Sequence, residues 1–166
     1  MKQNVLLTVV LICVVLIFSV CGGETEKKAQ TGEPAVKSKD SAVEEGNAVA
    51  KEILETFDKA VAEVAALVKD KPEAAVLKPQ LEALYKKYEE KMKEINTRYL
   101  ALKTKDIRSF GAANGYLGEN RGKHVFNKDK VLGEYISYYD FTKKEKEFAR
   151  FLSKEIIKML EVAVQR

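Results

Sequence analysis

Apolar residues recur at helical spacing along most of the chain, with charged residues between them. The first such stretch runs from Ala42 to Lys69. Its apolar positions are Val49, Ile53, Leu54, Phe57, Val61, Val64, Leu67 and Val68. Steps of three and four residues predict an amphipathic helix with one face toward a core. Ser41 with Glu44 three residues later has the spacing of a capping box, which predicts the start of this helix.

A second amphipathic stretch predicts a helix from Pro79 to Lys105. Its apolar positions are Leu81, Leu84, Tyr88, Met92, Ile95, Tyr99 and Leu102. Residues 74–77 predict a short helical piece that ends before Pro79, because the residue preceding a proline disfavours the α region. Pro72 marks the turn between the two stretches. Two long helices joined by a short turn form an antiparallel helical hairpin.

The segment from Ile107 to Asn127 interrupts this regularity. It contains four glycines, at 111, 115, 118 and 122. Since glycine is unfavourable in helices and strands, this composition predicts an ordered glycine-rich loop, held against the hairpin by its apolar side chains. A loop of this length within a compact domain is typical of a functional segment.

The remaining chain predicts two further helices. One is short, from Lys128 to Tyr139, although its YISYY sequence is also compatible with a strand. The last helix begins at Thr142, which with Glu145 repeats the capping-box spacing. Its apolar positions are Phe148, Phe151, Leu152, Ile156, Met159, Leu160 and Ala163. The expected fold is therefore all-α: a long helical hairpin, a short helix and a C-terminal helix forming one antiparallel bundle over residues 42–166, with a glycine-rich loop.

The N-terminal end has a different pattern. An apolar run from Val5 to Phe18 follows Lys2 and ends near Cys21. Up to Val20 it would form about 24 Å of helix, less than the roughly 30 Å of a bilayer core, so it is typical of a secretory signal rather than a membrane span. The run and Cys21 resemble the signal and lipobox of bacterial lipoproteins.

This resemblance implies a signal peptide at 1–20, a lipid on Cys21, and a flexible polar tether at 21–41 that separates the domain from the membrane. Val20 departs from the small residue that the family prefers before the cysteine. Ordinary signal cleavage and an uncleaved anchor are the alternatives. Gly22 follows the cysteine in place of the Asp that often marks retention at the inner membrane. Among lipoproteins this favours the outer membrane.

Composition narrows the possible functions. The chain of 166 residues has a net charge of +4 and only two cysteines. Cys13 lies within the signal and Cys21 would be lipidated, which leaves no disulfide and no Cys/His metal cluster. Acidic and basic residues alternate along the helices, so nucleic acid is not an expected partner. No nucleophile and base occur in a recognisable pattern, and we therefore expect a protein that is not an enzyme and has no cofactor.

The glycine-rich loop and the short helix supply the candidate contact residues for a ligand or partner. Glycine lets backbone N–H groups approach an anion closely, and basic residues add attraction. The set comprises Arg108, Tyr116, Arg121, Lys123, His124, Tyr135 and Tyr139. The glycine spacing matches no phosphate-binding motif, and glycines that serve only turns are the alternative. His124 is the only histidine, without an obvious acidic partner nearby, and so predicts no metal site.

These observations lead to two functional expectations. The first is an envelope lipoprotein, anchored in the membrane through Cys21, that presents a non-catalytic helical module to another envelope protein or component. The alternative is a periplasmic domain that binds a small polar molecule or an anion at residues 108–127.

Overall fold

The computed structural model describes residues 39–165 of the chain. Helices make up nearly all of this range. In order they are α1 (Lys39–Val68), α2 (Ala74–Lys105), α3 (Ile107–Ser137), a π-helical segment (Tyr138–Thr142) and α4 (Lys146–Val162). The predicted all-α class is confirmed, and no strand occurs between residues 39 and 165. The predicted signal peptide, the lipidation site Cys21 and nearly all of the predicted tether lie outside the described residues.

The helices form a bundle in which neighbours in sequence run antiparallel. On α1, Glu45, Glu52 and Glu63 pair with Lys105, Arg98 and Lys87 of α2, in reverse order along the chain. α1 and α3 run parallel to each other, and the side chains of Asp58 on α1 and His124 on α3 are in contact. The predicted apolar stripes face the interior, which includes Ile53, Phe57, Val64, Leu81, Met92, Ile95, Leu152 and Ile156.

The first correction concerns the start of α2. This helix begins at Ala74, so the predicted short piece and the predicted second helix are one element, with Pro79 inside it. Leu77 and Leu81 are both buried, whereas Pro79 is exposed. Burial of these leucines requires helical geometry through the proline, and the missing N–H falls on the solvent side, where water can bind the free carbonyl.

The second correction is larger: the predicted glycine-rich loop at 107–127 is wrong. This segment and the predicted short helix are the two halves of a single helix, α3. Asp106 caps its start by accepting a hydrogen bond from the backbone N–H of Arg108 at 2.9 Å. One face of α3 is buried, at Ser109, Ala113, Leu117, Lys128 and Leu132. Tertiary packing of that face outweighs the low helix propensity of the glycines on the opposite side.

A close crossing of α1 and α3 contributes to this packing. Gly46 of α1 lies against the backbone of α3, and a Cβ built on it would be 2.0 Å from the carbonyl oxygen of Ser109. The same Cβ would be 3.0 Å from the Cβ of Ala112. Only glycine therefore permits the observed separation of the two helices at this point.

The third correction concerns residues 138–145. The YISYY segment is helical, as the predicted short helix requires, and the strand alternative is excluded. The predicted cap is wrong: Thr142 does not cap α4, whose N-cap is Glu145 with no side-chain cap bond. The reason lies in Tyr139, which is fully buried and donates a hydrogen bond to the carbonyl oxygen of Pro72 at 2.6 Å. This contact holds the end of α3 in a π-helical turn, and the N-cap of α4 lies three residues later than predicted.

α4 is much shorter than the other three helices. The bundle therefore has four helices over part of its length and three over the rest. α1, α2 and α3 each have 30 to 32 residues, about 45 Å of helix, whereas α4 has 17 residues, about 25 Å. α4 ends near Tyr99 of α2, since Val164 and Tyr99 border the same cavity. No helix within residues 39–165 combines the length and apolarity needed to cross a bilayer.

Candidate functional site

The seven predicted contact residues do not form one site. They all lie on α3 or the adjoining π-helical segment, but Arg108 and Tyr135 are 27 residues apart, about 40 Å along the helix axis. The backbone N–H groups that were expected to approach an anion are used in the hydrogen bonds of α3 itself. A glycine-rich anion-binding loop is therefore not formed.

Several of these side chains have partners within the bundle. Arg108 binds the carboxylate of Asp106 through two nitrogens, at 2.7 and 3.0 Å. Lys123 donates to the side chain of Asn120 at 3.2 Å. Tyr139 is buried and bonded to a backbone carbonyl. Tyr116 and Tyr135 are half-buried and pack against the core. These contacts give the residues structural roles in the bundle.

His124 has an acidic partner that sequence reasoning missed. Its Nδ1 lies 2.8 Å from the Oδ2 of Asp58, on α1. Asp58 precedes His124 by 66 residues, so only the parallel packing of α1 and α3 brings the two together. The second carboxylate oxygen of Asp58 is buried without a hydrogen-bond partner in the described chain. Between residues 39 and 165 no three His, Cys, Asp or Glu side chains converge as a metal site would require.

Arg121 borders a shallow cavity of about 210 Å³ where α4 ends. The other lining residues are Tyr99, Asn114, Leu117, Gly118 and Val164. The hydroxyl of Tyr99 donates to the side-chain oxygen of Asn114 at 2.8 Å, and the amide of Asn114 donates to the carbonyl of Phe110 at 2.7 Å. His124 and Tyr116 do not line this cavity, so it is not the pocket that the predicted residues would have formed together.

The feature that most distinguishes α3 is its outer surface. Gly111, Gly115, Gly118 and Gly122 are all exposed, and a Cβ added at any of them would have no atom within 4 Å. Their spacing of four, three and four residues places them on one side of the helix. The backbone of α3 is therefore bare along three turns of its solvent-facing side.

Two large apolar residues border this bare stretch. Ile107, four residues before the first glycine, is 65% exposed, and Phe126, four residues after the last, is 71% exposed. At 100° per residue all six positions fall within an arc of about 100°. We call this surface the glycine face; it comprises Ile107, Gly111, Gly115, Gly118, Gly122 and Phe126. A shallow backbone groove with an apolar side chain at each end has the shape that accepts a closely packed helix.

The larger surface cavities lie elsewhere, along α4. One of about 510 Å³ lies between the first turns of α2 and α4, and its lining includes Phe148, Phe151 and three lysines. A second of about 440 Å³ adjoins Phe141 and Arg150. Both contain interleaved acidic and basic side chains, so neither favours a ligand of one charge.

Comparisons of this chain with protein-family models, with curated proteins and with solved structures find no match.

Proposed function

We propose that this protein is an envelope lipoprotein, anchored through Cys21, whose bundle is a non-catalytic interaction module that binds a helix of a partner protein at the glycine face. The observation that carries the proposal is the bare backbone of α3 between Ile107 and Phe126. The outer membrane is the proposed location, on the basis of Gly22. The glycine face replaces the predicted loop as the functional part of residues 107–127.

The four exposed glycines destabilise α3, because glycine has a low helix propensity. Each exposed glycine within a helix lowers stability by roughly 0.5–1 kcal/mol relative to alanine, so four of them cost about 2–4 kcal/mol. Whole domains of this kind have only about 5–15 kcal/mol of net stability. Nothing in the bundle requires these glycines, because a Cβ at each would meet no neighbour. A partner backbone that packs directly against α3 would require the absence of side chains at these four positions.

The geometry supports a helix as the partner. Ile107 to Phe126 spans 19 residues, about 28 Å or five helical turns. Because the glycines of α3 have no Cβ atoms, a second helix can approach α3 closely enough for Cα–H groups of one helix to contact carbonyl oxygens of the other. Ile107 and Phe126 would then each lose their exposed apolar surface to the partner and act as the anchors of the interface.

Photo-crosslinking in living cells tests this proposal. A benzophenone amino acid replaces Phe126 in the full chain, and membranes are irradiated and analysed by mass spectrometry. We expect one defined adduct, either a second protein or a second copy of this chain. Gly115→Leu places a large side chain on the face from a position where a Cβ meets no atom of the bundle, and it should abolish that adduct.

Phe141 supplies the matched control. It is also a phenylalanine, 75% exposed, and it lies in the π-helical segment rather than on the glycine face. The benzophenone at position 141 should not give the adduct seen at position 126. Equal adducts at both positions, or an adduct at 126 that survives Gly115→Leu, would show that the glycine face is not an interface.

The anchor is tested separately by the intact mass of the protein isolated from membranes. Diacylated or triacylated Cys21 should be found, and it should disappear when signal peptidase II is inhibited. An unmodified Cys21 in untreated cells would mean that Val20 prevents lipoprotein processing.

A further inference from the structure

The spacing of residues on the glycine face is the same when it is counted from either end. From Ile107 to Phe126 the residues follow one another at steps of four, four, three, four and four. The centre of this pattern lies between Tyr116 and Leu117. A partner of unrelated sequence would not require such symmetry. Two copies of one chain related by a two-fold axis would each present the pattern to the other.

This symmetry matches an antiparallel pair of α3 helices. Reversal of α3 about the centre of the pattern places Ile107 opposite Phe126 of a second copy, and each glycine opposite a glycine. Ile107 is 65% and Phe126 71% exposed, so each end of the face carries a large apolar side chain that the described bundle does not cover. One isoleucine and one phenylalanine would meet at either end. The two backbones would therefore have the same separation at both ends of the face.

The charged residues along this part of α3 also favour the antiparallel pair. At pH 7 those between 107 and 126 are Arg108, Glu119, Arg121 and Lys123. In the antiparallel pair the residues at the same height on the second copy are uncharged, namely Val125, Asn114, Ala112 and Phe110 in that order. In a parallel pair each of the four would lie level with its own copy, and like charges at close range repel each other.

We propose that the helix that binds the glycine face is α3 of a second copy of this chain, in an antiparallel dimer with two-fold symmetry. The inference rests on the proposed function, because it names the partner of the same surface. Every contact in a two-fold interface occurs twice, so Ile107 and Phe126 supply four apolar anchors to the dimer. Burial of these anchors and close packing of the two glycine backbones stabilise the pair.

Disulfide trapping in the full chain tests this arrangement. Gly111 and Gly122 lie opposite each other in the antiparallel pair, and a Cβ at either position meets no atom of the bundle. Membranes that contain two differently tagged variants, Gly111→Cys and Gly122→Cys, are oxidised. Mass spectrometry of the linked peptides separates this disulfide from any through Cys13 or Cys21. We expect a disulfide between the two variants.

Membranes with either variant alone are the control. The two copies of position 111 would lie 11 residues apart along the helix axis, about 16 Å, whereas a disulfide spans roughly 7 Å at most between Cα atoms. Neither variant alone should therefore form the disulfide. A disulfide that forms equally well with one variant alone would mean a parallel pair and would overturn the antiparallel dimer.

The absence of a disulfide in all three preparations would also overturn this inference. The benzophenone at position 126 then decides the fate of the proposed function. If it still gives an adduct that Gly115→Leu abolishes, the glycine face binds a different protein. If it gives no such adduct, the proposed function fails as well.

Sedimentation velocity of the full chain in a neutral detergent measures the dimer directly. Gly115→Leu should give monomers, because its side chain separates the two backbones. Gly133→Leu is the matched control, since Gly133 is also on α3, a Cβ there meets no atom of the bundle, and it lies seven residues beyond Phe126. Ile107→Ala should weaken the dimer at least tenfold, because it removes an anchor at both ends. Dimers of Gly115→Leu, or an equal loss in Gly133→Leu, would contradict the assignment to the glycine face.

Discussion

Substitution by alanine should change the free energy of unfolding in opposite directions at Gly115 and Gly46. Both glycines lie within helices, Gly115 on the outer side of α3 and Gly46 on the inner side of α1. Alanine has the higher helix propensity by roughly 0.5–1 kcal/mol. Its Cβ meets nothing at position 115. We therefore expect Gly115→Ala to raise the free energy of unfolding by that amount.

At position 46 the same methyl group meets the backbone of α3. It would lie 2.0 Å from the carbonyl oxygen of Ser109 and 2.9 Å from its carbonyl carbon. Backbone atoms cannot rotate away, so α1 and α3 must move apart by about 1 Å or more, and overpacking of this kind costs about 1–3 kcal/mol. A contact of 2.0 Å with a backbone oxygen belongs to the upper end of that range, about 3 kcal/mol. After the gain in propensity is subtracted, Gly46→Ala should lower the free energy of unfolding by about 2–2.5 kcal/mol.

Urea denaturation followed by far-UV circular dichroism measures both changes. The midpoint should shift in opposite directions while the slope with urea remains that of the wild type. Combining alanine at 111, 115, 118 and 122 should add to about 2–4 kcal/mol, because these positions share no partner.

A loss of stability in Gly115→Ala would refute the reasoning about α3. It would mean that the backbone at 115 needs a conformation that only glycine adopts, as in the loop predicted from sequence. A neutral Gly46→Ala would instead refute the close crossing of α1 and α3. The quadruple alanine variant should also lose the crosslink at position 126 if backbone contact is required there, even though it is more stable.

Two further predictions concern the hydrogen bonds that fix the bundle. Tyr139→Phe removes the bond to the Pro72 carbonyl and should lower the free energy of unfolding by about 1 kcal/mol in urea titrations, whereas Tyr138→Phe, which removes a hydroxyl with no such bond, should change it little. A hydrogen bond from Arg98 lowers the pKa of Glu52 below 4.5. The unfolded chain then binds more protons near that pH, so the contribution of Glu52 is present above pH 4.5 and is lost as the pH falls further. The side chains of Glu52 and Arg98 are both partly exposed, so Glu52→Gln should lower the free energy of unfolding by less than about 1 kcal/mol at pH 7. In acid, where Glu52 is protonated, the substitution should change it little. An equal loss at the two pH values would contradict a stabilising role for this ion pair.

Sequence alone determined the class of fold. The stripes that contain Phe57, Met92 and Ile156 repeat at helical spacing, and burial of such stripes against one another leads to a helical bundle. These residues are buried as the pattern predicts. Local periodicity is enough here because each helix carries its own apolar face, whichever neighbour it meets.

Tertiary structure decided what happens between residues 107 and 145. Local propensity favours a loop at the glycines and a helix start at Thr142, but packing of Ala113 and Leu117 on one side, and burial of Tyr139, outweigh both preferences. The pairing of Asp58 with His124 likewise depends on the side-by-side position of two helices. Contacts between residues far apart in sequence leave no local pattern, so the bare face of α3 and the cavity between α2 and α4 become visible only in the folded chain.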